Sequence, residues 1–138
     1  MNQFMKKAIE EAEKGIAIRD GGPFGAVIVK DNKIIAFGHN KVISSNDPTA
    51  HAEIVAIREA SSLLQKFDLS DCELYTTCEP CPMCYSAIHW AKITKVYYGA
   101  TRNDAKNIGF DDQYLYDVLS KRIPDTKLTL EELGRESC

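Results

Sequence analysis

The chain lacks most of the features that mark a membrane, secreted or nucleic-acid-coating protein. No apolar run approaches the ~18 residues a bilayer-spanning helix needs. The N-terminal Met1-Asn2-Gln3-Phe4-Met5-Lys6-Lys7 runs into Glu10, Glu11 and Glu13 with no apolar stretch of signal-peptide length. Positive charge is not in excess: 17 Lys and Arg stand against 20 Asp and Glu, a net charge of −3. That balance gives no support to broad attraction for nucleic acid or a membrane surface. Internal repeats, low-complexity tracts and linkers are missing as well. The cysteines number five, an odd count, and three crowd into Cys78-Glu79-Pro80-Cys81-Pro82-Met83-Cys84. Without an export signal, such clustering favours metal binding or catalysis over a disulfide framework. What remains is expected to be one soluble, cytoplasmic domain, residues 1–138, long enough to bury about two thirds of its extended-chain surface.

Helical spacing of Met5, Ala8, Ile9, Ala12 and Ile16 predicts a helix from Asn2 to about Ile18, ended by Gly21-Gly22-Pro23. Phe24 to Val29 predicts a buried strand and Ile34 to Asn40 a second, joined as a hairpin through Asp31-Asn32-Lys33. Lys41 to Thr49 reads as a polar loop, and a helix follows from about His51 to Gln65 with Ile54, Ile57, Ala60 and Leu64 on its buried side. Glu73–Thr77 and Val96–Gly99 read as strands, with a helix from Cys81 to Ala91 between them. After a loop come a short helix, Asp112–Leu119, and a last strand, Lys127–Leu130. Strands alternating with helices behind a hairpin imply an α/β domain, a three-layer α/β/α sandwich around a mixed sheet of roughly five strands.

Chemistry concentrates at two helix starts. Pro82 biases Cys81 away from helical dihedrals, which places Cys81 at the start of its helix, and Cys84 three residues on can point the same way. The positive end of the helix dipole favours the thiolates that zinc requires. His51 and Glu53, two apart, would face different directions inside a regular helix. They can share a site only if the helix begins at about His51, which the preceding Asp47-Pro48-Thr49 permits. Two thiolates and an imidazole leave tetrahedral zinc an open position for water, whose pKa zinc can lower to about 7. Glu53, beside the metal and not on it, can move the water's proton to the substrate. His-x-Glu with Pro-Cys-x-x-Cys is also the signature of zinc nucleobase deaminases, so the match is recognition with a mechanism behind it. A rival is a closed structural zinc site made by Cys78, Cys81, Cys84 and His51, which would leave no room for water and no task for Glu53.

On these residues the chain resembles the cytidine deaminase-like superfamily, and within it the bacterial guanine deaminase branch. The likeness runs from the first helix to about Tyr116. It is carried by Gly21-Gly22-Pro23-Phe24-Gly25-Ala26, Ser45-Asn46-Asp47-Pro48-Thr49-Ala50-His51-Ala52-Glu53, the Cys78–Cys84 segment, and Gly109-Phe110-Asp111-Asp112. The zinc motif marks the superfamily; the first and last motifs point to the guanine branch. The resemblance implies Zn2+ on His51, Cys81 and Cys84, and hydrolysis of guanine to xanthine and ammonia by hydroxide attack at the carbon bearing the amine. It implies further that Glu53 shuttles protons, that Asp112 assists near the guanine amine, and that Asn40 reads the purine edge through its amide. Phe24 would contact the ring, the Ala52 N–H would hold a substrate carbonyl, and one of His89 and Trp90 could line the pocket. Each has a plainer alternative: Asn40 as a strand end, Phe24 and Trp90 as core, Asp112 as a helix N-cap.

The resemblance also implies a homodimer, with a C-terminal segment ending in Tyr folded over the neighbouring site. This sequence ends in Leu133-Gly134-Arg135-Glu136-Ser137-Cys138 instead, which leaves the closure of the pocket, and with it strict guanine specificity, open. Alternative substrates are a tRNA adenosine, or cytosine or another small aminated heterocycle. A tRNA enzyme must grip phosphates, yet Lys121, Arg122, Lys127 and Arg135 are mixed with Asp125, Glu131, Glu132 and Glu136, and no basic arm results. Outside enzymology, the alternative is a non-catalytic zinc module.

Overall fold

A computed structural model describes residues Met1–Cys138. The first helix, α1, spans Gln3–Ala17. Asn2 caps it, its Oδ1 accepting from the N–H groups of Phe4 at 2.8 Å and Met5 at 3.0 Å, donors that a helix start otherwise leaves without acceptors. Strands β1 (Gly25–Lys30) and β2 (Lys33–His39) form the expected hairpin. Its tip places Asp31 and Asn32 at φ 50° and 61°, the two-residue turn whose twist suits paired strands. Completing the sheet are β3 (Glu73–Cys78) and β4 (Val96–Ala100), in the order β2-β1-β3-β4. β1 runs antiparallel to β2 and β3, while β3 and β4 are parallel. The sheet is therefore mixed.

Both faces of β1 are covered, and the strand is accordingly apolar from Gly25 to Val29. On one face Val27 and Val29 pack with Phe4 and Ala8 of α1 and with Tyr75. On the other, Ala26 and Ile28 join Ala52, Ala56 and Ala60 of the helix here called α3 (Ala52–Leu64) and Ile88 of α4 (Pro82–Trp90). Ile28 and Leu74 are fully buried, each stabilising the fold by roughly 1.5–3 kcal/mol. The result is the three-layer α/β/α sandwich, with α3 and α4 side by side on the face that carries the chemistry.

The sheet has four strands, not five. Lys127–Leu130 forms no strand, and Leu128 and Leu130 stand 61% and 89% exposed. Alternation makes a strand only where a ladder receives it, and this segment joins none. The stretch Lys41–Thr49 holds a one-turn helix, α2 (Val42–Ser45). A further helix, α5 (Arg102–Asn107), occupies part of the expected loop after β4, started by a capping box between Thr101 and Asp104. The last helix, α6, covers Gln113–Leu119. No helix is long and apolar enough to cross a membrane.

Candidate active site

The starts of α3 and α4 meet in space. His51 is the N-cap of α3, with φ −66° and ψ 156°, and its carbonyl accepts from Val55 N–H at 2.9 Å. The helix thus begins where His51 and Glu53 need it to, and extended backbone at His51 turns both side chains to one side. Cys81 is the N-cap of α4, with φ −67° and ψ 169°, and Pro82 follows in the first helical turn. Cys81 Sγ accepts from Cys84 N–H at 3.5 Å. His51 Nδ1 lies 3.5 Å from Cys81 Sγ and 3.5 Å from Cys84 Sγ, and the three ligand atoms fall within 4.8 Å of one another. Zinc bonded tetrahedrally to nitrogen and sulfur at ordinary lengths sets those atoms about 3.6 Å apart. The donor set fits zinc in both kind and spacing.

Its electrostatics suit a cation. The Cys81 thiol is pushed well below its ordinary value, first by the hydrogen bond from Cys84 and then by His51, against its burial. The Cys84 thiol moves upward, because Cys81 already holds the negative charge and the site is buried. Glu53 is 6% exposed. Burial pushes its carboxyl up to about 7, and a cation at the ligand set would draw it back down. Cys78 does not join the cluster; its Sγ lies 3.9 Å from the Thr101 carbonyl. The closed four-ligand arrangement is therefore not what the fold builds.

A cavity of about 750 Å³ opens above these groups, lined by His51, Glu53 and Cys81 together with Phe24, Asn40 and Asp112. Phe24 is half-buried and meets the Phe110 ring edge-on, centroids 4.9 Å apart at 87°. Asn40, the residue just past β2, is buried, with its Oδ1 accepting from Val42 N–H at 3.0 Å. Asp112 occupies the N-cap position of α6, yet its side chain makes no capping bond. Gln113 N–H is taken by Asp111 Oδ1 at 2.9 Å, so the Asp112 carboxylate is left to the cavity. Its pKa is raised, first by burial and then by the charge of Cys81. The Ala52 side chain is fully buried in the core; its N–H, in the first position of α3, has no acceptor within the helix.

Trp90 does not belong to this site or to the core. It is 83% exposed at the end of α4. That helix turns Cys84 and Ile88 inward, and a residue two beyond Ile88 points to the opposite side. His89 is likewise exposed and tilts against Tyr85, centroids 5.0 Å apart. Residue-by-residue reasoning missed Phe110, the second aromatic wall, as well as Gly21, Gly22, Val42 and Ile43, which also line the cavity. The Gly21–Ala26 and Gly109–Asp112 motifs held part of that signal; the one-turn α2 left none in the apolar spacing.

A family profile described as the cytidine and deoxycytidylate deaminase zinc-binding region matches residues 1–100. The chain belongs to this family of zinc-dependent deaminases. It is 52% identical over 134 residues to the guanine deaminase of Bacillus subtilis (strain 168), covering 94% of this chain and 86% of that one. It is 45% identical over 97 residues to the tRNA-specific adenosine deaminase of Aquifex aeolicus (strain VF5), covering 70% of this chain and 64% of that relative. The crystal structure of Bacillus subtilis guanine deaminase superposes with a TM-score of 0.91 at 48% identity, over 97% of this chain and 87% of its own.

Proposed function

We propose that this single-domain protein is a zinc-dependent deaminase of free guanine, converting it to xanthine and ammonia. The observation that carries the reading is the cavity lining: Glu53, Glu79, Asp111 and Asp112 contribute carboxylates, and no Lys or Arg lines the space. A phosphate-bearing substrate would meet repulsion there, whereas a neutral base would not. The likeness to the Bacillus subtilis guanine deaminase over 94% of the chain supports the same choice.

His51, Cys81 and Cys84 would hold the metal. When bound, zinc makes water acidic enough to lose a proton near neutral pH. Glu53 would take one proton of the attacking water and deliver it to the ring nitrogen, then carry the water's second proton to the amine, which leaves as ammonia while the ring carbon keeps the oxygen. Asp112 assists binding or proton movement at the amine. Asn40 has its Oδ1 engaged by Val42 N–H, so its NH2 is the group turned to a ring acceptor, which suits a base with a carbonyl. Phe24 and Phe110 form the apolar wall against the ring face. The Ala52 N–H, at the positive end of α3, meets a substrate oxygen.

A homodimer in the cytoplasm completes the reading. The α4–β4 side exposes Tyr85, Trp90 and Tyr98 at 56%, 83% and 52%, large apolar surfaces of the kind that subunit contacts cover. All five cysteines are free, which suits a reducing compartment. The test is ammonia release by zinc-loaded protein from guanine, adenine, cytosine, guanosine and a tRNA anticodon stem-loop. Guanine alone is expected to turn over. Turnover of the stem-loop without guanine would move the protein to the tRNA branch, and no turnover of any base with zinc bound would sink the assignment.

A further inference from the structure

One buried titratable cluster lies behind the cavity and takes no part in the chemistry described so far. His39, the last residue of β2, is 4% exposed and directly precedes Asn40. Its Nε2 sits 2.6 Å from Asp20 Oδ2. Its Nδ1 faces Glu11 Oε1 at 3.5 Å and has no hydrogen-bond partner, while Glu11 itself, 3% exposed, pairs with Lys7 at 3.4 Å. α1 makes room for the imidazole: a Cβ on Gly15 would stand 2.7 Å from His39 Cδ2. A polar ring placed this deep, with a short bond to one carboxylate, costs more to bury than an apolar residue would.

What the arrangement achieves lies on the other side of Asp20. The Asp20 carbonyl accepts from Ile43 N–H and Ser44 N–H, both at 3.0 Å, and so anchors α2. Val42, in the same turn, supplies the N–H that orients the Asn40 side chain. Gly21, the next residue after Asp20, packs so closely on Asn40 that a Cβ there would be 2.1 Å from Asn40 Oδ1. Asn40 is therefore gripped from two directions, by Gly21 and by Val42, and both grips depend on where Asp20 sits. His39 is the side chain that fastens Asp20 to the sheet.

We propose that His39 is a positioning residue, which through its bond to Asp20 fixes the Asp20–Gly22 loop and α2 and thereby sets the orientation in which the Asn40 amide meets the base. The inference rests on the placement of Asn40 against the substrate proposed above.

The experiment uses the zinc-loaded full chain and measures ammonia release, zinc content and thermal unfolding. H39L removes the donor to Asp20. The expected result is a KM raised about tenfold with kcat within about threefold, the scale of one lost charge-assisted hydrogen bond felt at a binding group. H39Q keeps an N–H2 able to reach Asp20 and should return KM to within about threefold of the parent. In an N40A background, H39L should add less than about twofold, since a residue acting through Asn40 has nothing left to position. An unchanged KM in H39L, an H39Q as impaired as H39L, or an undiminished H39L effect on N40A would each overturn the proposal. If H39L does not fold, D20A cuts the same bond from its other end, with the same rise in KM expected and an unchanged KM fatal. Should the parent protein turn over a different base, the guanine reading fails by itself, and the same series run on that base decides the role of His39.

Discussion

Alanine at Gly21 and alanine at Gly22 make a paired test of how the substrate cavity is held, because the two positions have very different neighbours. At Gly21 a new Cβ would lie 2.1 Å from Asn40 Oδ1 and 2.7 Å from the Asn40 carbonyl oxygen. Ordinary contact begins near 3.4 Å, so the amide must rotate or the strand end must shift by more than about 1 Å, a displacement of the size that can lower turnover about a hundredfold when a positioning group moves. At Gly22 the Cβ would meet Phe24 Cε2 at 3.0 Å and the Phe110 ring at 3.2 Å. Those are edges of aromatic rings at a cavity wall, free to swing by a few tenths of an ångström. Gly21→Ala is therefore expected to lower kcat/KM about a hundredfold and to cost about 1–3 kcal/mol of stability through overpacking. Gly22→Ala should lower kcat/KM by no more than about fivefold, with little change in thermal midpoint. Both variants keep all three metal-binding side chains, so zinc content should stay at the parent level. The assay is steady-state ammonia release beside zinc stoichiometry and thermal unfolding. A Gly21→Ala enzyme within threefold of the parent, or a Gly22→Ala enzyme as impaired as Gly21→Ala, would refute the reasoning.

Replacing Glu53 with Gln should leave zinc bound and lower kcat by about 10²–10⁴-fold, the range general acid–base groups contribute; metal analysis with kinetics checks it, and unchanged activity would remove Glu53 from proton transfer. Guanine turnover should be nearly independent of salt and of added tRNA, because no cationic lining exists to gather phosphates; strong competition by tRNA would contradict this. The Asp71 carboxyl is held below its ordinary value, first by Lys66, whose Nζ lies 2.7 Å away, and also by the Cys72 thiol. A depressed folded-state value means that this contribution to stability is fully present above about pH 4 and is lost as pH falls further. Asp71→Asn should therefore flatten the acid side of a stability–pH curve and leave its shape above pH 6 alone. Cys72, buried and pushed up to about 11 chiefly by burial, should resist alkylation under conditions that modify the exposed Cys138; labelling followed by peptide mass spectrometry measures the order.

The clustering of His51, Cys81 and Cys84 was legible because each ligand lies beside a chain signal acting within a few residues. Pro82 places Cys81 at a helix start, and Asp47-Pro48-Thr49 lets α3 begin after His51. The hairpin was legible for the same reason: Asp31-Asn32 fits a turn that needs positive φ twice. What was not legible depended on contacts between distant segments. Lys127–Leu130 alternates like a strand, but alternation alone does not reveal whether a sheet edge will pair with it. Trp90 looked like core or pocket because it is aromatic and near the cysteines, yet two residues of helix separate it in angle from Ile88, and it faces solvent. Phe110 became a wall of the cavity only through its contact with Phe24, eighty-six positions away.

His51 and Cys81 both stand just before a helix, each with extended backbone, instead of within one. The reactive end of the protein is thus tied to the beginnings of α3 and α4, and nothing in it counts residues toward their far ends. Length can be gained or lost in the exposed Gln65–Phe67 stretch past α3, ahead of the buried Leu69, without re-registering a ligand. For an engineer this marks where a reporter, a tether or a second module can be grafted: the C-terminal end of α3, around Gln65–Lys66, on the side of the sandwich away from the metal-binding residues.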